Sequence, residues 1–185
     1  SANGKGVGKA LLESKDIRSL SFTGSTSVGQ YLYRESAATM KKLGLELGGN
    51  APFIVFDDCN LEDAVAGAIA SKFRNSGQTC ICANRVLVQE GVYEAFVAKL
   101  VERVRAMKVS NGLEEDCDIG PLINQAAIDS CREKVEDAVA KGARVECGGK
   151  SHALGGLFYE PTVLTHVDRS MKVFTEESFA PIAPM

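Results

Sequence analysis

No apolar run in this sequence approaches the roughly 20 residues needed to span a bilayer, and no charged, apolar and small-residue leader opens the chain. Those absences predict a protein with no membrane partner and no secretion route, placed in the cytoplasm. Histidine is scarce, with two residues, which is too few companions for a convincing zinc site. Excess charge is also lacking: the formal net charge is −3, and the basic residues are scattered rather than striped, so nucleic acid has no electrostatic handle. The six cysteines, Cys59, Cys80, Cys82, Cys117, Cys131 and Cys147, show no paired framework, which suits free thiols in a reducing compartment. Internal repeats and low-complexity segments are missing too. What remains is the balance of an ordinary globular protein, 45% apolar and 24% charged over 185 residues.

The hydrophobic pattern predicts alternating strands and helices. Ile17 to Phe22 has strand alternation, and a helical pattern carrying Val28, Tyr31 and Leu32 follows Thr23-Gly24-Ser25-Thr26, with Ser27 and Gln30 spaced for a capping box. Lys41 to Leu47 places Leu43, Leu45 and Leu47 on one face and Lys42, Gly44 and Glu46 on the other before Gly48-Gly49 breaks the strand. Pro52 to Phe56 predicts a third strand. Asp57 to Asn60 then opens a helix whose stripe runs Leu61, Ala64, Val65, Ala68, Ile69 and Lys72 and which ends near Asn75 to Gly77. Further strands are expected at Arg85 to Gln89, Ala143 to Cys147 and Phe158 to Val167, with helices at Tyr93 to Val104 and Ile128 to Val139. Asn111 to Asp118 and Gly148 to Gly156 read as loops. Such alternation indicates an α/β fold with a largely parallel sheet. Only one or two strands precede Gly48, so the sequence reads as a fragment that begins inside a domain.

Three places could carry chemistry. Cys80 falls just after a helix and a Ser76-Gly77 pair, where partial exposure and backbone N–H donors favour a nucleophilic thiolate; the plainer alternative is a small buried hydrophobe. Glu46 stands at the glycine break, suited to a general base or to a solvated strand end. Phe22 to Gly29 offers a helix N-terminus to a phosphate or ribose, though without a full dinucleotide fingerprint.

Taken in order, Phe22 to Gly29, Glu46-Leu47-Gly48-Gly49, Gly77-Gln78-Thr79-Cys80 and Glu176-Glu177-Ser178-Phe179-Ala180-Pro181 resemble the aldehyde dehydrogenase superfamily, with 34 positions separating Glu46 from Cys80. The longer stretches Leu45 to Phe56 and Ser71 to Arg85 resemble its succinate-semialdehyde dehydrogenase branch. Members of the family are more than twice this length. The resemblance implies the end of a Rossmann-type cofactor domain over residues 1–48 and a partial catalytic domain over residues 49–185.

It also implies roles. Cys80 would attack the aldehyde, its own N–H would stabilise the oxyanion beside an asparagine that falls before Ser1, and Glu46 would activate water. Arg74 would hold the distal carboxylate of succinate semialdehyde or a similar ω-carboxy aldehyde, a bidentate task that suits a guanidinium; the competing reading is an arginine pairing with the end of the helix dipole. Gly24 and Ser25 would lie near the cofactor phosphates, and Glu177 and Phe179 near the nicotinamide ribose, with NAD and NADP left open. Ala180 departs from the glycine usual in the family. Cys82 could serve as a redox partner to Cys80, strained if the segment is extended, or simply pack. A homo-oligomer is expected of the complete enzyme, with a small-molecule aldehyde as its substrate. Two other readings remain: an inert or self-associating fragment of such an enzyme, and a cysteine hydrolase, for which His152 and His166 lack supporting motifs.

Overall fold

The computed structural model describes residues 3–185, which separate into two compact units, Ser1–Gly48 and Gly49–Met185. In the first, helix α1 (Gly4–Glu13) precedes strand β1 (Ser19–Thr23), helix α2 (Thr26–Ser36) and strand β2 (Lys42–Glu46). The two strands are parallel, with Leu20 opposite Leu43 and Thr23 opposite Glu46. Leu12, Leu20 and Leu32 form the buried centre, with Leu43 and Phe22 packed against them. Helix α1 was not anticipated. Its start is set by Asn3, whose Oδ1 accepts from the Gly6 N–H at 2.7 Å, but Gly4, Gly6 and Gly8 depress its intrinsic propensity and hide it in the sequence. The cap of α2 is also corrected: Ser25, not Ser27, has the extended backbone and accepts from the Val28 N–H.

The second unit runs β3 (Ala51–Val55), α3 (Leu61–Lys72), β4 (Ala83–Val88), α4 (Glu90–Arg105), α5 (Gln125–Ala140), β5 (Arg144–Cys147), β6 (Thr162–Thr165), the single-turn α6 (Lys172–Thr175) and β7 (Ile182–Pro184). β3 pairs with β4 and β6 with β7 in parallel, whereas β5 joins β6 antiparallel. The strand expected over Phe158 to Val167 shortens to four residues: Pro161, without an N–H, bounds it at the start, and His166, at φ 58°, bounds it at the end.

All four residues of β6 are buried, the mark of a strand covered on both faces. Val163 and Ala183 join a cluster with Phe96, Leu100 and Val104 of α4, while Leu164 and Ile182 join one with Ile128 and Val135 of α5. Helices therefore flank this sheet on both sides, and each wholly buried side chain such as Phe96 contributes about 1.5–3 kcal/mol. Among the described residues no helix is long and apolar enough to cross a membrane, and no group of His, Cys, Asp and Glu could hold a metal ion.

Asn60 starts α3, its Oδ1 accepting from the N–H groups of Glu62 and Asp63. Replacing it with alanine should lower the stability of the protein by about 1 kcal/mol in urea unfolding, and an unchanged midpoint would show that the cap contributes nothing.

Candidate active site

Cys80 sits on a short turn between α3 and β4. Before it, Asn75, Ser76 and Gly77 take successive left-handed φ angles of 51°, 56° and 73°. A non-glycine residue pays about 1–2 kcal/mol for that conformation, so the turn must be held from outside. Ser76 is only 2% exposed, and its hydroxyl donates to the Gly120 carbonyl at 3.0 Å. The Gln78 side chain accepts from the Ile123 N–H at 2.9 Å and donates back to the Asn75 carbonyl. The Ser76-Gly77 pair is thus a pinned corner.

Two backbone approaches shape this corner. A Cβ on residue 77 would collide with the Ala180 carbonyl oxygen, and one on residue 49 would lie 2.8 Å from that of Cys80. Only glycine admits either neighbour. Ala180 itself is not among the residues with positive φ, so its methyl is accommodated where the family more often has glycine.

Of the six cysteines, Cys80 alone is exposed. Its N–H donates no hydrogen bond among the described residues, which leaves a donor beside the thiol. The segment is not extended: the Cys82 N–H returns to the Thr79 carbonyl, closing a turn. Cys82 is buried at 1% exposure, with its Sγ 2.8 Å from Thr79 Oγ1, and it is free rather than bridged. Arg74 is exposed and makes no hydrogen bond or ion pair among the described residues. The guanidinium is left without a direct partner at the end of α3, where the helix dipole considered from the sequence also acts.

The residues from Glu176 to Pro181 are tied to this turn by a ring of polar contacts that the motifs did not reveal. Lys72, the last residue of α3, is 1% exposed and donates to Asn84 Oδ1 at 3.1 Å and Ser178 Oγ at 2.8 Å. Ser178 donates to the same Asn84 oxygen at 2.9 Å. Asn84 Nδ2 donates to the Gly49 carbonyl, and the Gly49 N–H donates to Glu177 Oε1, both at 3.2 Å. Burial pushes the Lys72 ammonium down to about 8, against the opposing pull of Cys82, Cys131 and Glu177. Lys72 was visible as a polar residue on an apolar stripe, and that mismatch was the signal. Phe179, next in line, is exposed with φ 45°.

In the first unit, β2 ends on exposed Glu46, whose carbonyl accepts from the Gly24 N–H at 3.0 Å, so Gly24, Ser25 and Glu46 lie together at the carboxyl ends of the parallel strands. Beside them, Gly4, Lys5, Gly8, Phe22, Val28 and Tyr31 help line a largely apolar cleft of 760 Å³ between α1 and α2. Val28 and Tyr31, in helical register as expected, are each 42% exposed and face this cleft rather than the core.

Comparison with protein families matches residues 1–185 to the aldehyde dehydrogenase family. A mitochondrial succinate-semialdehyde dehydrogenase of Oryza sativa subsp. japonica is 54% identical over 99% of the chain and 35% of its own length. The NADP(+) succinate-semialdehyde dehydrogenase of Escherichia coli (strain K12) is 52% identical over 97% of the chain and 37% of its length. A solved succinate-semialdehyde dehydrogenase from Burkholderia pseudomallei superposes with a TM-score of 0.98 at 54% identity, covering 100% of this chain and 38% of that one. The chain thus spans little more than a third of the proteins it matches.

Two outcomes are expected from the site geometry. Iodoacetamide should alkylate Cys80 at least about tenfold faster than buried Cys82 or Cys131, as peptide mapping would show, and equal rates would mean that the turn does not protect Cys82. Lys72 binds its proton more weakly folded than unfolded, so between pH 8 and 10.5 the unfolded chain holds more protons and stability rises with pH. Relative to Lys72→Met, the native protein should gain up to about 3 kcal/mol across that window, and a constant difference would count against a buried ammonium.

Proposed function

Because the chain belongs to the aldehyde dehydrogenase family, matched over residues 1–185, we propose that the complete protein oxidises an ω-carboxy aldehyde, succinate semialdehyde foremost, to the carboxylate. The observation that carries this reading is the exposed Cys80 thiol on a turn held rigid from several sides, with an unengaged backbone donor beside it.

In this mechanism the Cys80 thiolate adds to the aldehyde carbon, forming a C–S bond and a thiohemiacetal whose oxyanion accepts from the Cys80 N–H. NAD or NADP, when bound, supplies the hydride acceptor. Loss of hydride from the thiohemiacetal carbon leaves a thioester on Cys80. Glu46 takes a proton from water, the hydroxide attacks the thioester carbon, and the C–S bond breaks to return the Cys80 thiolate and free carboxylate. Arg74 grips the distal carboxylate and fixes the aldehyde end for attack, a positioning role for which its free guanidinium is available.

The residues fit a dinucleotide. The cleft between α1 and α2 has glycines at 4 and 8 with open space above them and the apolar faces of Val28 and Tyr31, a slot suited to a flat aromatic base. Gly24 and Ser25 present the start of α2 to phosphate oxygens. Glu177 keeps one carboxylate oxygen on the Gly49 N–H and has a second for a ribose hydroxyl, with Phe179 exposed nearby in sequence. Cys82 is buried with its Sγ on Thr79 Oγ1, so a redox role for it requires that sulfur to leave Thr79 and meet the exposed Cys80 thiol.

For the 185-residue stretch by itself a second reading has support: Ile54, Phe56 and Leu87 are 54%, 61% and 41% exposed on the β3–β4 pair, an apolar face that favours self-association over turnover.

In the complete enzyme, Arg74→Ala should raise KM for succinate semialdehyde at least about tenfold more than KM for an uncharged aldehyde of similar size, since a charged hydrogen bond is lost only for the first. Equal losses for both substrates would remove Arg74 from recognition. Glu46→Gln should slow steady-state turnover while leaving a burst of NAD(P)H equal to the enzyme present, and a lost burst would place Glu46 before thioester formation.

A further inference from the structure

Lys72 is the buried cation that the proposed chemistry does not use. It lies at the end of α3, eight residues before Cys80, and Asn84 lies four residues beyond it, so the hydrogen bond between Lys72 Nζ and Asn84 Oδ1 closes the base of the loop that carries the thiol. The same ammonium reaches Ser178, whose neighbour Glu177 is held on Gly49, which in turn abuts the Cys80 carbonyl. Charge-assisted bonds of this kind are about twice as strong as neutral ones, and a low dielectric magnifies both their gain and the cost of losing one partner.

We propose that Lys72 is a positioning residue: by clamping Asn84 at the base of the Cys80 loop to Ser178 beside Glu177, it fixes the thiol relative to the segment that receives the nicotinamide ribose. This rests on the dinucleotide-dependent aldehyde oxidation proposed above. Asn84 Oδ1 takes donors from both Lys72 and Ser178, so the three side chains form one unit rather than two independent pairs. Withdrawing Lys72 leaves Ser178 held through Asn84 alone and Asn84 anchored only by its bond to the Gly49 carbonyl, so the Glu177–Phe179 segment keeps its Gly49 contact but loses its charged tie to the base of the thiol loop. The titratable groups facing the ammonium are Cys82 of the loop, Cys131 of α5 and Glu177 of the ribose-side segment; all three favour its charged form, against the desolvation that lowers it.

The test is NAD(P)H binding by the complete enzyme, read as a fluorescence titration at pH 7 and at pH 9.5, for wild type, Lys72→Met, Ser178→Ala and the double variant. Lys72→Met should weaken binding about tenfold at pH 7, the scale of one charge-assisted hydrogen bond, and the double variant should be no weaker than the worse single variant. Wild-type binding should weaken toward the Lys72→Met value as the ammonium loses its proton by pH 9.5, while Lys72→Met changes less over the same interval. Additive losses, or wild-type affinity in both single variants, would overturn the clamp. If Lys72→Met does not fold, Ser178→Ala decides: affinity unchanged from wild type overturns the proposal, and a several-fold loss that shrinks at pH 9.5 supports it. A wild type that binds no NAD(P)H removes the dinucleotide reading itself, a result distinct from a wild type that binds and variants that bind equally well.

Discussion

The Ala180 carbonyl stands where a side chain at residue 77 would begin, and the Cys80 carbonyl crowds residue 49 in the same way. These two contacts bring three remote stretches of chain to one place: the residues just after β2, the turn between α3 and β4, and the strand entry at Pro181. With no Cβ to hold them apart, backbone meets backbone, and everything around the thiol is arranged on that footing. The left-handed run from Asn75 to Gly77 is the local cost of turning the chain sharply enough to make the contact, and the side-chain bonds of Ser76 and Gln78 offset it.

Polar groups then have to be satisfied by one another in a buried position. Lys72, Asn84 and Ser178 do so reciprocally, each serving as partner to the others, and Glu177 completes the ring through Gly49. Separation of roles follows. Cys80 and Arg74 are exposed and free to meet a ligand, while Ser76 and Gly77 between them and Lys72, Asn84 and Ser178 behind them are buried. The Cys80 thiol is thus presented to solvent on a turn whose supports are buried.

Much of this was legible in residue patterns. The stripe Phe96, Leu100, Val104 identified α4, and Asn60 marked the start of α3 because its side chain can accept what the first helical turn offers. Local rules failed where a remote segment decided the outcome. Ser76-Gly77 resembles a flexible hinge until the Ala180 carbonyl and Gly120 pin it, and neither is near in sequence. Lys72 was an anomaly on an apolar face whose explanation lay at Asn84 and Ser178. Ser25 and Ser27 are equally good caps by type, and only the backbone angles choose between them. The roles proposed for Cys80, Glu46 and Arg74 rest on ordered motifs, since a lone cysteine, glutamate or arginine says little.

The contact between Gly77 and the Ala180 carbonyl also has a bearing on biosynthesis. Its two sides are separated by about a hundred residues, so a ribosome adding roughly 5–20 residues per second completes the thiol turn several seconds before the strand that pins it. During that interval the corner at Asn75 and Ser76 has no counterpart to hold its left-handed angles, and the nascent thiol is without its buried support. The pinning of the Cys80 turn therefore waits on the arrival of Pro181 and β7 rather than on synthesis of the cysteine itself.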